Sequence, residues 1–220
     1  MYMKRYFVLL FVACFFTLQA QAQKRSQKIF PSEVWHPGQL VLMEGDTLNA
    51  QLKYDFKTET VLLKFKGNVF SYNSRKILFF NIHDITSDSF REFFSLPYYV
   101  KPNYKVPILF EVLYEGPLTL LSREAIVEDQ IVRNSYYQYG TAPYRIETTK
   151  RLAFDYFFLD MDGTIKPFRL RKKDLLRVMR KHSSAIKRYI KQNKLKLSKQ
   201  EDLIRIVSHY NELMGMSVRR

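Results

Sequence analysis

The chain has 220 residues, with 36 Lys/Arg against 21 Asp/Glu, 18 Phe, 15 Tyr, 7 Gly and a single Cys. That aromatic content excludes disorder through most of its length, and one cysteine excludes a disulfide framework within the chain. The net charge of +15 is localised: residues 23–165 carry 17 Lys/Arg against 17 Asp/Glu, whereas residues 166–220 carry 17 against 4.

Lys4 and Arg5 precede an apolar run over 7–18, broken only by Thr17, and Ala20-Gln21-Ala22 follows with the small-x-small pattern of a cleavage site. The expectation is a signal peptide over 1–22; the apolar run is shorter than the roughly 20 residues of a membrane-spanning helix. Phe11-Val12-Ala13-Cys14 offers an alternative, a loose lipobox with lipidation at Cys14. Phe stands where Leu is usual, the apolar run continues past the cysteine, and a clean cut site follows, so cleavage after Ala22 is the reading carried forward. It leaves 198 residues, no cysteine and no transmembrane segment. The protein is then expected in the periplasm, associated with the outer membrane, or secreted.

Residues 23–33 read as a flexible polar segment, and Trp35-His36-Pro37-Gly38 as a turn with an anchoring aromatic. A meander follows, with strands expected at 39–44, 47–54, 58–66, 69–72 and 77–82, separated by Glu44-Gly45-Asp46 and Lys66-Gly67-Asn68. Five short strands at this spacing suggest a small antiparallel barrel or half-sandwich, an SH3- or Sm-like barrel being one candidate. A strand over 88–96 carries Phe90, Phe93 and Phe94, and the proline-rich 97–107 reads as a constrained connection. The stretch 106–123 is the expected centre of the body: two apolar arms flank Glu115-Gly116-Pro117, with Gly supplying unusual φ and Pro a preset φ. Residues 128–150 read as irregular, with a tip carrying Tyr136, Tyr137, Tyr139 and Tyr144. A closing hairpin over 151–170 turns at Asp160-Met161-Asp162-Gly163.

The period then changes from two to 3.6. Asp174 is placed to cap a first helix, Ser183 or Ser184 a second, and Ser198-Lys199-Gln200-Glu201 reads as the capping box of a third. Each is too short to persist alone, so their apolar stripes must pack together or on the sheet. The fold class expected is α+β: a neutral antiparallel β body over 34–170, barrel- or sandwich-like, carrying a basic bundle of three short helices over 171–214.

Gly38-Gln39-Leu40-Val41-Leu42-Met43-Glu44-Gly45-Asp46-Thr47-Leu48, the 110–121 hairpin and Leu203-Ile204-Arg205-Ile206-Val207-Ser208-His209-Tyr210-Asn211 together resemble a group of exported Bacteroidota proteins of unknown function. The resemblance covers most of the mature chain and implies a Gram-negative envelope protein; it carries over no catalytic residue.

Three constellations bear on chemistry. Phe157-Phe158-Leu159-Asp160-Met161-Asp162-Gly163-Thr164 resembles the first motif of haloacid-dehalogenase-type phosphatases. That resemblance implies Asp160 as nucleophile, Asp162 as general acid/base and a Mg²⁺ on the phosphate. Only 56 residues follow Thr164 and they are helical and basic; Asp84 and Asp88 have the spacing of that family's last acidic motif but lie upstream. Ordinary hairpin chemistry accounts better for Asp160 to Gly163. Second, Lys172, Lys173, Arg177, Arg180, Lys181, Lys187, Arg188 and Lys191 decorate helices whose other faces are apolar. Such a surface attracts anionic lipid or polysaccharide, or else is a solvated face that confers solubility; export argues against nucleic acid. Third, the Tyr136–Tyr144 tip either stacks on sugars or a partner or tucks onto the sheet. The four histidines show no metal-ligand spacing. No cofactor and no catalytic residue is therefore expected, and the favoured role is non-enzymatic.

Overall fold

Period-two alternation governs most of the chain, and the computed structural model, which describes residues 29–133 and 145–215, turns it into ten strands. They are β1 (His36–Leu42), β2 (Thr47–Asp55), β3 (Thr60–Phe65), β4 (Asn68–Asn73), β5 (Ile77–Asp84), β6 (Ser89–Lys101), β7 (Tyr104–Tyr114), β8 (Thr119–Arg133), β9 (Arg145–Leu159) and β10 (Ile165–Phe168). Three helices follow: α1 (Lys172–Val178), α2 (Ser183–Gln192) and α3 (Gln200–Leu213). The strands form one antiparallel sheet in the order β10-β9-β8-β7-β6-β5-β1-β2-β3-β4. The α+β class holds, but the sheet is open and not a closed barrel. β5 returns to pair with β1, which leaves the β3–β4 hairpin on one edge while β6 to β10 extend the other side.

Several expected irregular stretches are strands. Residues 36–38 join β1 instead of forming a turn, and Gly38 lies between Ala50 of β2 and Ile82 of β5. A Cβ there would sit 2.2 Å from the Asn81 carbonyl oxygen, so this glycine serves close strand packing. Prolines 97 and 107 lie opposite one another inside the β6–β7 hairpin. The Pro107 carbonyl accepts the Ser74 hydroxyl at 2.8 Å and so turns away from β6. The pair is therefore a non-hydrogen-bonded one, where a missing N–H costs nothing. Of the expected irregular stretch 128–150, residues 128–133 and 145–150 are instead paired strand: β8 and β9 pair as far as Arg133 and Arg145, with Asp129 on Arg151 (2.5 Å) and Glu128 near Lys150 (3.9 Å).

Side chains of one parity line the inner face of the sheet, in two apolar clusters. Leu40, Leu52, Tyr54, Val61, Leu63, Ile77, Phe80, Ile82, Phe93 and Leu109 form the first, over β1–β7. The second joins Leu118, Leu120, Tyr156, Phe158 and Phe168 to Leu175, Met179, Ile186, Ile190, Leu203, Ile206, Val207 and Tyr210 of the helical segment. Asn211 fixes that docking. Its Oδ1 accepts the Leu118 N–H (3.1 Å) and its Nδ2 donates to the Leu118 carbonyl (3.0 Å). Gly116 lacks a positive φ; a Cβ there would lie 2.5 Å from Asn211 Nδ2, so its smallness admits α3. The helix starts also shift from expectation. Arg171 and Lys199 occupy the N-cap positions of α1 and α3 without side-chain caps, and Ser183 is the first residue of α2. Asp174 instead pairs with Arg171 (2.9 Å), and Asp202 accepts the Lys196 N–H (2.9 Å).

Candidate functional site

The helical segment separates its two kinds of side chain. Leu175, Met179, Ile186 and Ile190 are buried against the sheet. Lys172, Lys173, Arg177, Arg180, Lys181, Lys187, Arg188 and Lys191 are all exposed. Of these only Arg177 has an ion pair among the described residues, with Asp174 at 3.5 Å. Lys187, Arg188 and Lys191 stand at i, i+1 and i+4 of α2 and so share one side of it. The apolar stripe is already spent on the sheet, so what this segment offers outward is charge. Among the described residues no helix is long and apolar enough to cross a membrane.

A second constellation lies between the two apolar clusters. Arg91 sits two residues before Phe93 on β6, and Glu111 two after Leu109 on β7, so both face the inner side. The Arg91 guanidinium spends all five N–H groups there. Nε donates to Glu111 Oε1 (2.7 Å), one terminal nitrogen to Asp84 (2.9 Å) and the Tyr54 hydroxyl oxygen (2.9 Å), and the other to Glu111 Oε2 (2.9 Å) and Glu124 (3.0 Å). Tyr54 donates its own hydroxyl to Glu124, and Ser122 donates to Glu111 at 2.8 Å. The side chains of Asp84, Glu111 and Glu124 are only 0%, 6% and 2% exposed.

Three carboxylates thus share one cation, and their environments differ. Burial pushes the Glu124 carboxyl up, outweighing Arg91 and the Tyr54 hydroxyl. Burial also acts on Asp84, but hydrogen bonds from Thr86 and Arg91 outweigh it and hold that carboxyl below the usual range. Burial raises the Tyr54 phenol, and the carboxylates raise Arg91 against its own desolvation. His36 flanks the group: its Nδ1 accepts the Ile85 N–H (3.2 Å), which leaves the proton on Nε2, donated to the Pro31 carbonyl (2.8 Å). A cleft of about 560 Å³ opens beside the group, walled by Phe30, Phe90, Phe154 and Glu201. Since no guanidinium donor is left over, the arrangement is a cross-link between β2, β5, β6, β7 and β8 and not an anion receptor. Sequence reasoning missed it. The available signals were single charges interrupting apolar alternation, Glu111 between Leu109 and Leu113 above all.

The Asp160 motif is a hairpin turn between β9 and β10. Asp160 Oδ1 accepts the Thr164 N–H (2.9 Å), Oδ2 pairs with Lys166 (3.0 Å), and Gly163, at φ +73°, donates its N–H to the Asp160 carbonyl (3.0 Å). Slight burial opposes ionisation, but Lys166 and the Thr164 amide prevail and lower the carboxyl's pKa. Asp162 is exposed. Asp84 belongs to the Arg91 group, and Asp88 lies in the β5–β6 turn beside His83 (3.2 Å). Tyr136, Tyr137, Tyr139 and Tyr144 lie outside the described residues. Among the described residues no group of three or more Asp, Glu, His or Cys is placed to hold a metal ion. No family model matches the chain, and neither a curated protein nor a solved structure matches it.

Proposed function

We propose that this is an exported, non-enzymatic component of a Gram-negative envelope, periplasmic or on the inner side of the outer membrane. Its β body is structural or partner-binding, and its basic helices rest against anionic lipid or polysaccharide. One observation carries the reading: seven of the eight basic side chains at issue are exposed without an ion pair among the described residues, on helices whose apolar side is fully engaged. Such a segment binds by charge at the surface and does not insert. The leader-like residues 1–22 and the resemblance noted above supply the compartment.

Co-sedimentation with vesicles of phosphatidylglycerol and phosphatidylcholine, beside vesicles of phosphatidylcholine alone, tests the lipid arm; retention on an immobilised anionic polysaccharide tests the other. Each Lys or Arg near an anionic surface contributes about 1 kcal/mol. Reversing Lys187, Arg188 and Lys191 to Glu should therefore weaken binding by about a hundredfold or more. Binding should also fall steeply as salt contracts the screening length from about 10 Å at 0.1 M to about 3 Å at 1 M. Binding that ignores both salt and the triple reversal would overturn the proposal.

A further inference from the structure

The sequence treats the two edges of the sheet differently. β10 is four residues long and carries Lys166 and Pro167, the features by which proteins guard an open edge. β4, Asn-Val-Phe-Ser-Tyr-Asn, has neither a charge nor a proline. Val69 and Phe70 on it are 54% and 45% exposed, and Phe65 beside them on β3 is 47% exposed.

The backbone shows which groups that edge presents. Lys66 and Gly67 both have positive φ, +48° and +82°, and join Phe65 to Asn68 in a two-residue turn. In such a hairpin the closing pair exchanges both hydrogen bonds, and bonded pairs recur at every second position. Phe70 and Tyr72 therefore bond to β3, while the N–H groups of Val69, Ser71 and Asn73 turn outward. The Asn73 carbonyl is taken by Lys76 (3.0 Å), which leaves the edge of Val69 and Ser71 without a strand partner among the described residues.

We propose that this edge is a homodimer interface, two copies pairing β4 with β4 antiparallel about a two-fold axis at Ser71. The strand's own order argues for a second copy. With Ser71 opposite its counterpart, Phe70 of each copy falls opposite Tyr72 of the other. That gives two aromatic cross-strand pairs on the face that carries Val61 and Leu63, so the first apolar cluster continues across the axis. On the other face Val69 falls opposite Asn73, and no charge opposes a like charge within the paired segment. Lys66 and Arg75 lie in the flanking turns, where like charges of the two copies approach. The pairing is isologous and closes at two copies. A six-residue edge buries little surface, so the association is a weak one.

Sedimentation equilibrium of the purified full chain over a wide concentration range tests this. The wild type should pass from monomer to dimer as concentration rises, and more readily at high salt, opposite in sign to surface binding by the helices. Ser71→Pro removes an outward N–H and spares the β3 ladder. It should weaken association at least tenfold while leaving the melting temperature of the dilute protein unchanged. Should that variant melt early, Phe70→Lys decides, since it sets a charge against the aromatic face without touching the backbone. A wild type that stays monomeric at all concentrations, or association that survives in a folded Ser71→Pro or Phe70→Lys variant, would overturn the interface.

Discussion

Replacing Arg91 with Met isolates what the buried ion group contributes. Methionine keeps apolar volume near Tyr54 and Phe93, whose ring centres lie 5.8 and 5.0 Å from the guanidinium carbon, but removes the charge and all five donors. Asp84, Glu111 and Glu124 are then left facing one another with side-chain exposures of 0%, 6% and 2%. Breaking a buried ion cluster by removing one partner costs about 3–5 kcal/mol. In a chain of this size each kcal/mol shifts the melting point by about 2–4 °C, so the variant should melt roughly 6–20 °C lower. The loss must also depend on pH. Carboxyls buried without a cation bind protons more tightly in the folded than in the unfolded chain, so stability gained by protonation is present at low pH and lost as pH rises through their raised folded values. Denaturant unfolding at pH 8, 6.5 and 5 should accordingly show the gap from wild type narrowing on acidification. Adding Glu111→Gln and Glu124→Gln to Arg91→Met should recover much of the loss, since it removes two of the three stranded charges and leaves only Asp84, which keeps its hydrogen bonds from Thr86. A deficit under about 1 kcal/mol, or one constant across pH, would refute the account.

Glu124→Gln alone should be at least as stable as wild type at pH 8, because burial raises the native carboxyl and charging it there costs stability. Its advantage should shrink as pH falls and Glu124 itself becomes protonated; a clear loss at pH 8 would contradict this. Asn211→Ala strands the buried N–H and carbonyl of Leu118. It should cost about 2–4 kcal/mol in denaturant unfolding and speed amide exchange in α3 ahead of β1 and β5. Asp160→Asn keeps an acceptor for the Thr164 amide and loses only an exposed pair with Lys166. Its stability should stay within about 0.5 kcal/mol of wild type. Turnover of a generic phosphate ester by the wild type that vanishes in this variant would point to a phosphohydrolase.

Local alternation made β2, β3, β5 and the 106–123 hairpin legible, because each buries one face and periodicity reports burial. It failed over 128–133 and 145–150, where Glu128, Asp129, Lys150 and Arg151 pair across two strands largely open to solvent and no apolar alternation is needed. The open sheet was out of reach for another reason. Whether β5 pairs with β4 or returns to β1 is a long-range choice that neither strand's own pattern encodes. The Arg91 group was out of reach for the same reason, since its members come from five strands and only Glu111, set between Leu109 and Leu113, plainly interrupts an apolar pattern. The basic helices were legible because charge and apolar stripe alternate within single segments.

The Arg91 group lies where the ladder of the sheet is shortest. β8 and β9 pair along their whole length, but β7 and β8 pair only where Glu111, Val112 and Tyr114 meet Ser122, Leu121 and Leu120, with an irregularity between. Below Glu111 the two strands part. There the Leu109 N–H is accepted by Glu59 (2.8 Å), and Arg123 reaches the Phe56 carbonyl (2.8 Å), so the β2–β3 turn fills the gap. This seam divides the first apolar cluster from the second, and hence the β body from the segment that supports the basic helices. A short ladder leaves the angle between the two halves weakly specified, whereas apolar packing alone tolerates sliding. Directional hydrogen bonds do not. Arg91 on β6 and Tyr54 on β2 hold Glu124 on β8 across the seam, with Glu111 and Ser122 joined over it. The ion group thereby fixes how the segment that carries the cationic helices is set against the first apolar cluster.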